Sequence, residues 1–209
     1  MNISDKVIGR LSLYRRLLHL LSDNGYEYVY SHDLASYAKV SSAQIRRDIM
    51  NIGYFGNPNK GYNVKELITS IGKFLDGPSH QYAALVGVGN LGKAILDYFS
   101  GRRPKLSIAA SFDSDSQKQN RVIHGCRCYS ITELNEIISK NNISIGIIAV
   151  PTSAAQQSAD MLINAGVKGL LNFVPVPLKV PSNIYIEDID MTMSLEKVAY
   201  FARQNNVKG

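Results

Sequence analysis

The stretch Ala83-Ala84-Leu85-Val86-Gly87-Val88-Gly89-Asn90-Leu91-Gly92-Lys93-Ala94-Ile95 decides the reading of this chain, because an apolar run passes directly into Gly-x-Gly-x-x-Gly and then into helical periodicity. Strand, tight turn and helix follow in that order. In such a unit Gly87 permits the turn, Gly89 lets a pyrophosphate approach bare backbone, and Gly92 lets the helix pack closely on the strand. The helix N-terminus then faces the phosphates with N–H groups that have no partner inside the helix. A Gly-rich turn alone carries little weight, so the next strand is the test: roughly 20 residues on, a dinucleotide site places an acidic residue at a strand end. Residues 106–112 make an apolar-rich strand candidate, and Asp113 ends it. Its carboxylate suits the adenine ribose hydroxyls and repels a 2′-phosphate, which favours NAD(H) over NADP(H).

The 209 residues, 45% hydrophobic and 19% charged, suit a globular chain of one large or two small domains. No apolar run reaches the roughly 18 to 20 residues that span a bilayer. Met1-Asn2-Ile3-Ser4-Asp5 lacks the charged-then-apolar order of a signal peptide, so the chain is expected to be cytosolic, in the cytoplasm. A net charge of +6 suits a polyanionic partner, yet the excess is spread over both halves of the chain, and its placement has to decide. Cys126 and Cys128 stand too close in an extended segment to bridge comfortably and are too few to hold a metal. They read as reduced strand residues in preference to a redox-sensing pair. His19, His32, His80 and His124 show no metal-ligand spacing, and no metal is expected.

Val7, Leu11, Tyr14, Leu18 and Leu21 predict a helix near 6–23, stopped by Asn24-Gly25. Ser31 is expected to cap a short second helix that buries Leu34, Tyr37 and Ala38. Ser41-Ser42-Ala43-Gln44 fits a capping box, with Ser41 bonding the N3 amide and Gln44 reaching back to the cap. The third helix buries Ile45, Ile49 and Ile52 and projects Gln44, Arg46, Arg47 and Met50, until Gly53 ends it. Tyr54-Phe55 and Tyr62-Asn63-Val64 flank turn-rich residues 56–61, a predicted hairpin with Lys60 at its tip. Together these describe a winged helix-turn-helix, which lays its second helix in the DNA major groove. Arg46 and Arg47 are the candidate readers of guanine, and Lys60 could reach a phosphate or the minor groove. A helix over 66–75 completes the module, and Asp76-Gly77-Pro78-Ser79 breaks it.

Strands and helices alternate from there: the Gly-loop unit, a strand over 106–112, a helix opened by the capping box Ser130-Ile131-Thr132-Glu133, a strand over 143–150, a helix near 153–165 and a strand over 167–173. That order predicts an α/β, doubly wound parallel sheet covered on both faces. Pro151 and the run Asn172-Phe173-Val174-Pro175-Val176-Pro177 end two strands on the side where such sheets bind ligands, so both loops are candidates to enclose a nicotinamide. A last helix near 194–204 carries Leu195, Val198, Ala199 and Phe201 and needs a partner surface, within the chain or across a dimer.

Over nearly its full length the chain resembles the Rex family of bacterial redox-sensing transcriptional repressors. The resemblance rests on Tyr14-Arg15-Arg16-Leu17-Leu18, residues 42–48, Gly61-Tyr62-Asn63-Val64, residues 87–92, Phe112-Asp113, Ile148-Ala149-Val150-Pro151, residues 165–173, and Asp190 ahead of Leu195-Glu196. It implies a winged-helix domain over 1–76, a Rossmann-like NAD(H)-binding domain over 80–190, and a C-terminal helix over 191–209 exchanged within a homodimer on a palindromic operator. NADH would release the DNA and NAD+ would permit binding. Cofactor contacts would fall to Gly87, Val88, Gly89, Asn90, Leu91, Gly92, Asp113, Val150, Pro151, Thr152, Asn172, Phe173 and Tyr98. DNA contacts would fall to Ser42, Gln44, Arg46, Arg47, Lys60 and Tyr62, and the switch to Arg16, Tyr98 and Asp190. Arg47 stands where Lys is frequent, Pro58 is unusual in the wing, and Thr152 replaces a common Ala, departures that bear on operator choice and cofactor affinity. An NAD-dependent dehydrogenase with a helical extension and a CoA-binding domain protein are the alternatives, but neither accounts for residues 31–64. A dehydrogenase also needs a proton donor or acceptor beside the nicotinamide, and the only histidine after Asp113 is His124, with no evident orienting carboxylate. The sequence therefore points to a cofactor-sensing DNA binder rather than an enzyme.

Overall fold

The computed structural model describes residues 3–101 and 105–205. The chain divides into two compact units, Met1–Ser79 and His80–Gly209. In the first, apolar residues at three- and four-residue spacing turn one face of α1 (Asp5–Asp23) inward and bury Leu11, Tyr14, Leu18 and Leu21. Strand β1 (Tyr28–Val29), α2 (Ser31–Ala38), α3 (Ser42–Asn51), β2 (Tyr62–Asn63) and α4 (Val64–Leu75) follow. Leu34, Ile45, Ile49, Val64, Leu67 and Ile71 close the core with α1.

A fully buried charge lies inside that core. Asp48 of α3 is fully buried and accepts from Arg10 Nε at 2.6 Å and Nη2 at 2.8 Å, from the Tyr14 hydroxyl at 2.9 Å and from Gln44 Nε2 at 2.7 Å. Four donors match the roughly four lone-pair sites of a carboxylate. Burial by itself would raise the Asp48 pKa, but the bonds from Arg10, Tyr14 and Gln44 outweigh it and hold the carboxyl below its ordinary value. α3 is thereby fastened to α1 through a charge as well as through Ile45 and Ile49.

Several local expectations change in this unit. Tyr30, not Ser31, occupies the cap of α2, and Ser31 is the first helical residue. Tyr37 is 57% exposed because Ala35 takes the inward position beside Leu34 and Ala38. Ser41 does accept from the Gln44 amide at 3.1 Å, but the Gln44 side chain goes to Asp48, so only half of the capping box forms. A buried anion rewards that donor more than a solvated amide would. Tyr54-Phe55 form no strand: β2 pairs antiparallel with β1, Tyr28 opposite Asn63 and Val29 opposite Tyr62, and a single bridge between Asn57 and Gly61 closes the tip. Val64 already belongs to α4, which Asn63 caps by accepting from the Glu66 amide.

The second unit runs β3 (Gln81–Val86), α5 (Asn90–Phe99), β4 (Leu106–Asp113), β5 (Val122–Ile123), β6 (Cys126–Ser130), α6 (Leu134–Lys140), β7 (Ile143–Ile148), α7 (Ala155–Asn164), β8 (Gly169–Asn172), β9 (Tyr185–Asp188) and α8 (Met191–Asn205). The sheet order is β5-β6-β4-β3-β7-β8-β9, parallel throughout except for β5 against β6. From β3 the chain steps outward to β4 and β6, then returns to the other side of β3 for β7. That reversal makes a topological switch point between β3 and β7, the place where such sheets hold ligands. Phe112, Ile148, Ala159 and Leu162 belong to one of its two buried clusters, and Leu85, Ile95, Leu96 and Ile147 to the other.

The capping box at Ser130 forms complete, with Glu133 accepting from the Ser130 amide at 3.0 Å, and opens a 3-10 turn ahead of α6. Cys126 and Cys128 are both buried in β6, and burial pushes both thiols up in pKa. Every described side chain of α8 is exposed, among them Leu195, Val198 and Phe201. Residues 206–209 of the expected terminal segment lie outside the described residues. Among the described residues no helix is long and apolar enough to cross a membrane, and no cluster of His, Cys, Asp or Glu could hold a metal.

Replacing Asp48 by Asn is expected to destabilise the chain by about 3 kcal/mol, because it leaves the Arg10 guanidinium without its buried counterion. Urea unfolding followed by circular dichroism reads this; a loss below about 0.5 kcal/mol, the usual scatter of surface substitutions, would show the pair to be incidental. Asp48, with its lowered pKa, stabilises the fold fully above the unfolded carboxylate value of about 3.9, and that contribution is lost as the pH falls through the lower native value.

Candidate functional site

A cavity of about 560 Å3 opens where β3, β4 and β7 end, lined by Gly87, Gly89, Asp113, Lys118, Val150 and Pro151 among others. The Ala149 amide donates to Val86 O at 2.9 Å and the Gly87 amide to Phe112 O at 2.8 Å, so the three strand ends are drawn together at the glycine turn. Gly87 has φ +94°, and a Cβ there would come within 2.5 Å of Ala149 O. A Cβ on Gly92 would overlap the Gly87 carbonyl oxygen. At Gly89, which precedes α5 as its cap, a Cβ would meet nothing within 4 Å. Two glycines are thus demanded by the protein's own packing, whereas Gly89 leaves open space before a helix N-terminus, a cradle for phosphate.

Asp113 faces this cradle with only 8% exposure. Its Oδ2 accepts from the Val88 amide at 2.8 Å and Lys118 Nζ at 3.1 Å, and its Oδ1 from the Asp115 amide at 2.9 Å. Burial favours the neutral acid, but the Asp115 and Val88 amides and Lys118 prevail and keep the carboxyl below its usual range. The Lys118 ammonium is raised in turn, first by its bond to Asp113.

Not every candidate reaches the cavity. Val88 is fully buried and contributes its amide to Asp113. Asn90, Leu91 and Gly92 form the first turn of α5, and Thr152 begins an exposed 3-10 turn after Pro151. Asn172 is fully buried, and its side chain is spent on the Val174 amide, on the Val174 and Val176 carbonyls and on Asp188. These bonds hold the loop after β8 in shape, and Phe173 packs partly buried against the cluster of Leu85, Ile95, Leu96 and Ile147. Tyr98 lies 53% exposed on α5 beside the Phe99 ring and is not part of the cavity lining. The lining adds Ser114, Asp115, Lys118, Gln157 and Met161, which stand on loop and helix positions that no periodicity marks. His124 does have a carboxylate beside it, Asp97 at 3.2 Å, but neither residue lines the cavity.

In the first unit α3 turns Arg46 and Arg47 outward, with Ser42 and Gln44 half-buried. Arg46 Nη1 donates to the Ser31 hydroxyl at 3.0 Å, which steadies one guanidinium at the start of α2. Lys60 sits on the tip closed by Asn57 and Gly61, its ammonium 5.5 Å from the Tyr28 ring centroid. Tyr62 lies in the core, so its ring supports the tip from within. Met50, at 56% exposure, and Phe55, at 69%, are large apolar side chains left outside near Arg46, and the local pattern reads Phe55 only as a flank of the hairpin. Arg16 is exposed on α1, and Asp190 caps α8 by accepting from the Met193 amide at 2.8 Å.

Comparison with known proteins gives two partial domain matches and many near-full-length ones. Residues 79–176 match the model described as CoA binding domain, and residues 2–49 the one described as putative DNA-binding protein N-terminus. A redox-sensing transcriptional repressor Rex of Carboxydothermus hydrogenoformans is 39% identical, over 97% of this chain and 98% of that protein. A repressor of the same description from Lactobacillus acidophilus is 37% identical over 92% and 91%. The crystal structure of RSP in complex with beta-NAD+ and operator DNA superposes with a TM-score of 0.89 at 33% identity, covering 99% of this chain and 95% of that one. RSP in complex with beta-NADH gives 0.87 at 32%, over 99% and 97%. The relatives are described as repressors and not as enzymes, and they span both units.

The glycine geometry yields a contrast. Gly92→Ala is expected to cost on the order of 1–3 kcal/mol of stability through overpacking, whereas Gly89→Ala should leave thermal unfolding within a few degrees of the parent. Calorimetry on both variants decides between them, and equal destabilisation would mean that the space above Gly89 is not free.

Proposed function

The chain belongs to the Rex family of redox-sensing transcriptional repressors, and from that premise we propose how its residues divide the work of binding operator DNA in the first unit and sensing NADH against NAD+ in the second. The observation that carries this reading is the cradle at Gly89, closed by Asp113 at the topological switch point, in the same chain as a helix that presents Arg46 and Arg47. Gly87, Gly89 and the first turn of α5 receive the pyrophosphate, Asp113 faces the adenine ribose, and Val150 and Pro151 wall the cavity beside them. The dinucleotide supplies a nicotinamide ring that carries positive charge when oxidised and none when reduced. Only residues that meet those two forms differently can shift the protein between states.

α8 offers Leu195, Val198 and Phe201 to a second copy, which makes the working species a homodimer with two recognition helices on a palindromic operator. In the DNA-bound state Asp190, at the head of α8, pairs with Arg16 of the other copy. Tyr98, on the helix that the glycine loop opens, competes for the same carboxylate when NADH is bound, and the spacing of the two recognition helices changes with it. The protein acts in the cytoplasm, where operator and dinucleotide pool meet.

Gel shifts on operator DNA across NADH and NAD+ series test the reading: NADH should release the operator and NAD+ should not, and release by neither would sink it. Arg46→Ala or Arg47→Ala should cost about 1–3 kcal/mol of operator binding by loss of a guanine contact, with NADH affinity untouched. Lys60→Ala should weaken binding to all sequences alike and flatten the salt dependence. Tyr98→Phe should retain NADH but release operator incompletely, and Asp190→Ala should blunt the response. If both respond as the parent does, the switch runs through other residues.

A further inference from the structure

Among the described residues Lys118 is the one cation that lines the cavity, and it follows from neither the glycine loop nor the strand pattern. Its ammonium lies 3.1 Å from Asp113 and 3.6 Å from Asp115, and the side chain keeps 29% exposure. It therefore stands between two carboxylates at the end of the cavity assigned to the adenine ribose.

We propose that Lys118 is a specificity-determining residue of the dinucleotide site: its ammonium sets how strongly the site rejects a 2′-phosphate, and Asp113 and Asp115 hold that cation back from serving as a phosphate contact. The proposal rests on the reading of this cavity as the NAD(H) site. Of the roughly four acceptor positions on a carboxylate, Asp113 has committed three, to the Val88 and Asp115 amides and to Lys118. One position is left for a ribose diol that has two hydroxyls to place. A second hydroxyl bond requires that Lys118 yield or share its place on Oδ2, so the lysine and one hydroxyl of the ribose diol meet at the same oxygen. A 2′-phosphate at that point would face two carboxylates and one ammonium within a few ångströms, not an isolated Asp113. The balance of three charges, and not the strand-end acid by itself, decides the discrimination.

The charge on Lys118 also acts on the pyrophosphate, but NADH and NADPH share that group, so the ratio of their affinities isolates the 2′ position. The test is calorimetric titration of both nucleotides into the full-length parent, Asp115→Asn, Lys118→Gln and the double variant, with thermal unfolding recorded for each. Asp115→Asn spares the fold, since an amide oxygen can still accept from the Gln117 amide as Asp115 Oδ1 does. Lys118→Gln should raise the NADH preference on the order of tenfold. Asp115→Asn should lower it by a similar factor, and the double variant should lose that gain in NADPH binding. A preference indifferent to residue 118, or an NADPH gain in Asp115→Asn that persists without the lysine, overturns the proposal while the parent's NADH binding stands. A parent that binds neither nucleotide overturns the reading of the cavity, and this proposal with it.

Discussion

The contact between the Gly87 turn, the Ala149 carbonyl and the backbone of Gly92 sets the geometry of the second unit. Three chain segments meet there with no room for a Cβ on either glycine. The end of β3, the end of β7 and the first turn of α5 consequently occupy fixed relative positions. The cavity, the exposed end of α5 and the placement of Asp113 all descend from that approach, because β4 is hydrogen-bonded to the same turn through Phe112. Side chains decorate the site, but backbone contact shapes it. This is why a methyl group at Gly92 acts on the fold while one at Gly89 acts on whatever enters.

Asp48 has a comparable position in the first unit, by a different physical route. A buried carboxylate is costly, and a hydrophobic substitute of similar volume would often hold a core at least as firmly. What the charge adds is geometry: Arg10 and Tyr14 of α1 approach from set directions, so α3 is fixed in rotation about its own axis as well as in distance from α1. Rotation matters for a helix that carries Arg46 and Arg47 on its outward side. The Arg46 bond to Ser31 serves the same end from the other face.

α8 is the element that the described chain leaves unfinished. Burying a Leu, Val or Phe side chain contributes roughly 1.5–3 kcal/mol, and α8 forgoes that gain at Leu195, Val198 and Phe201. A helix with Asp190 as its cap is well formed locally, yet its packing energy has to come from another surface.

The glycine loop, the acid at the end of β4, the complete capping box at Ser130 and the helical stripes of α1 and α3 were legible in the sequence, since each is governed by the backbone and its near neighbours. Local spacing determines which residue caps a helix or permits a turn. That the sheet is parallel followed as a class from the alternation of strands with helices, whereas the strand order, with β5 and β9 at its edges, did not. What local pattern did not disclose depends on partners distant along the chain: β2 pairs with β1 instead of with residues 54–55, Gln44 leaves its cap for Asp48, Tyr37 turns out while Ala35 turns in, and Asn172 is consumed by Asp188. Lys118 joined the site only because the loop after β4 folds it back onto Asp113. The sequence by itself determined the two units, the glycine turn and the helix that turns Arg46 and Arg47 outward, because those rest on short-range sterics and periodicity. Tertiary structure alone decided which polar groups remain available to a ligand, because a buried donor or acceptor takes the nearest partner in space, and that partner is set by packing, not by position in the chain.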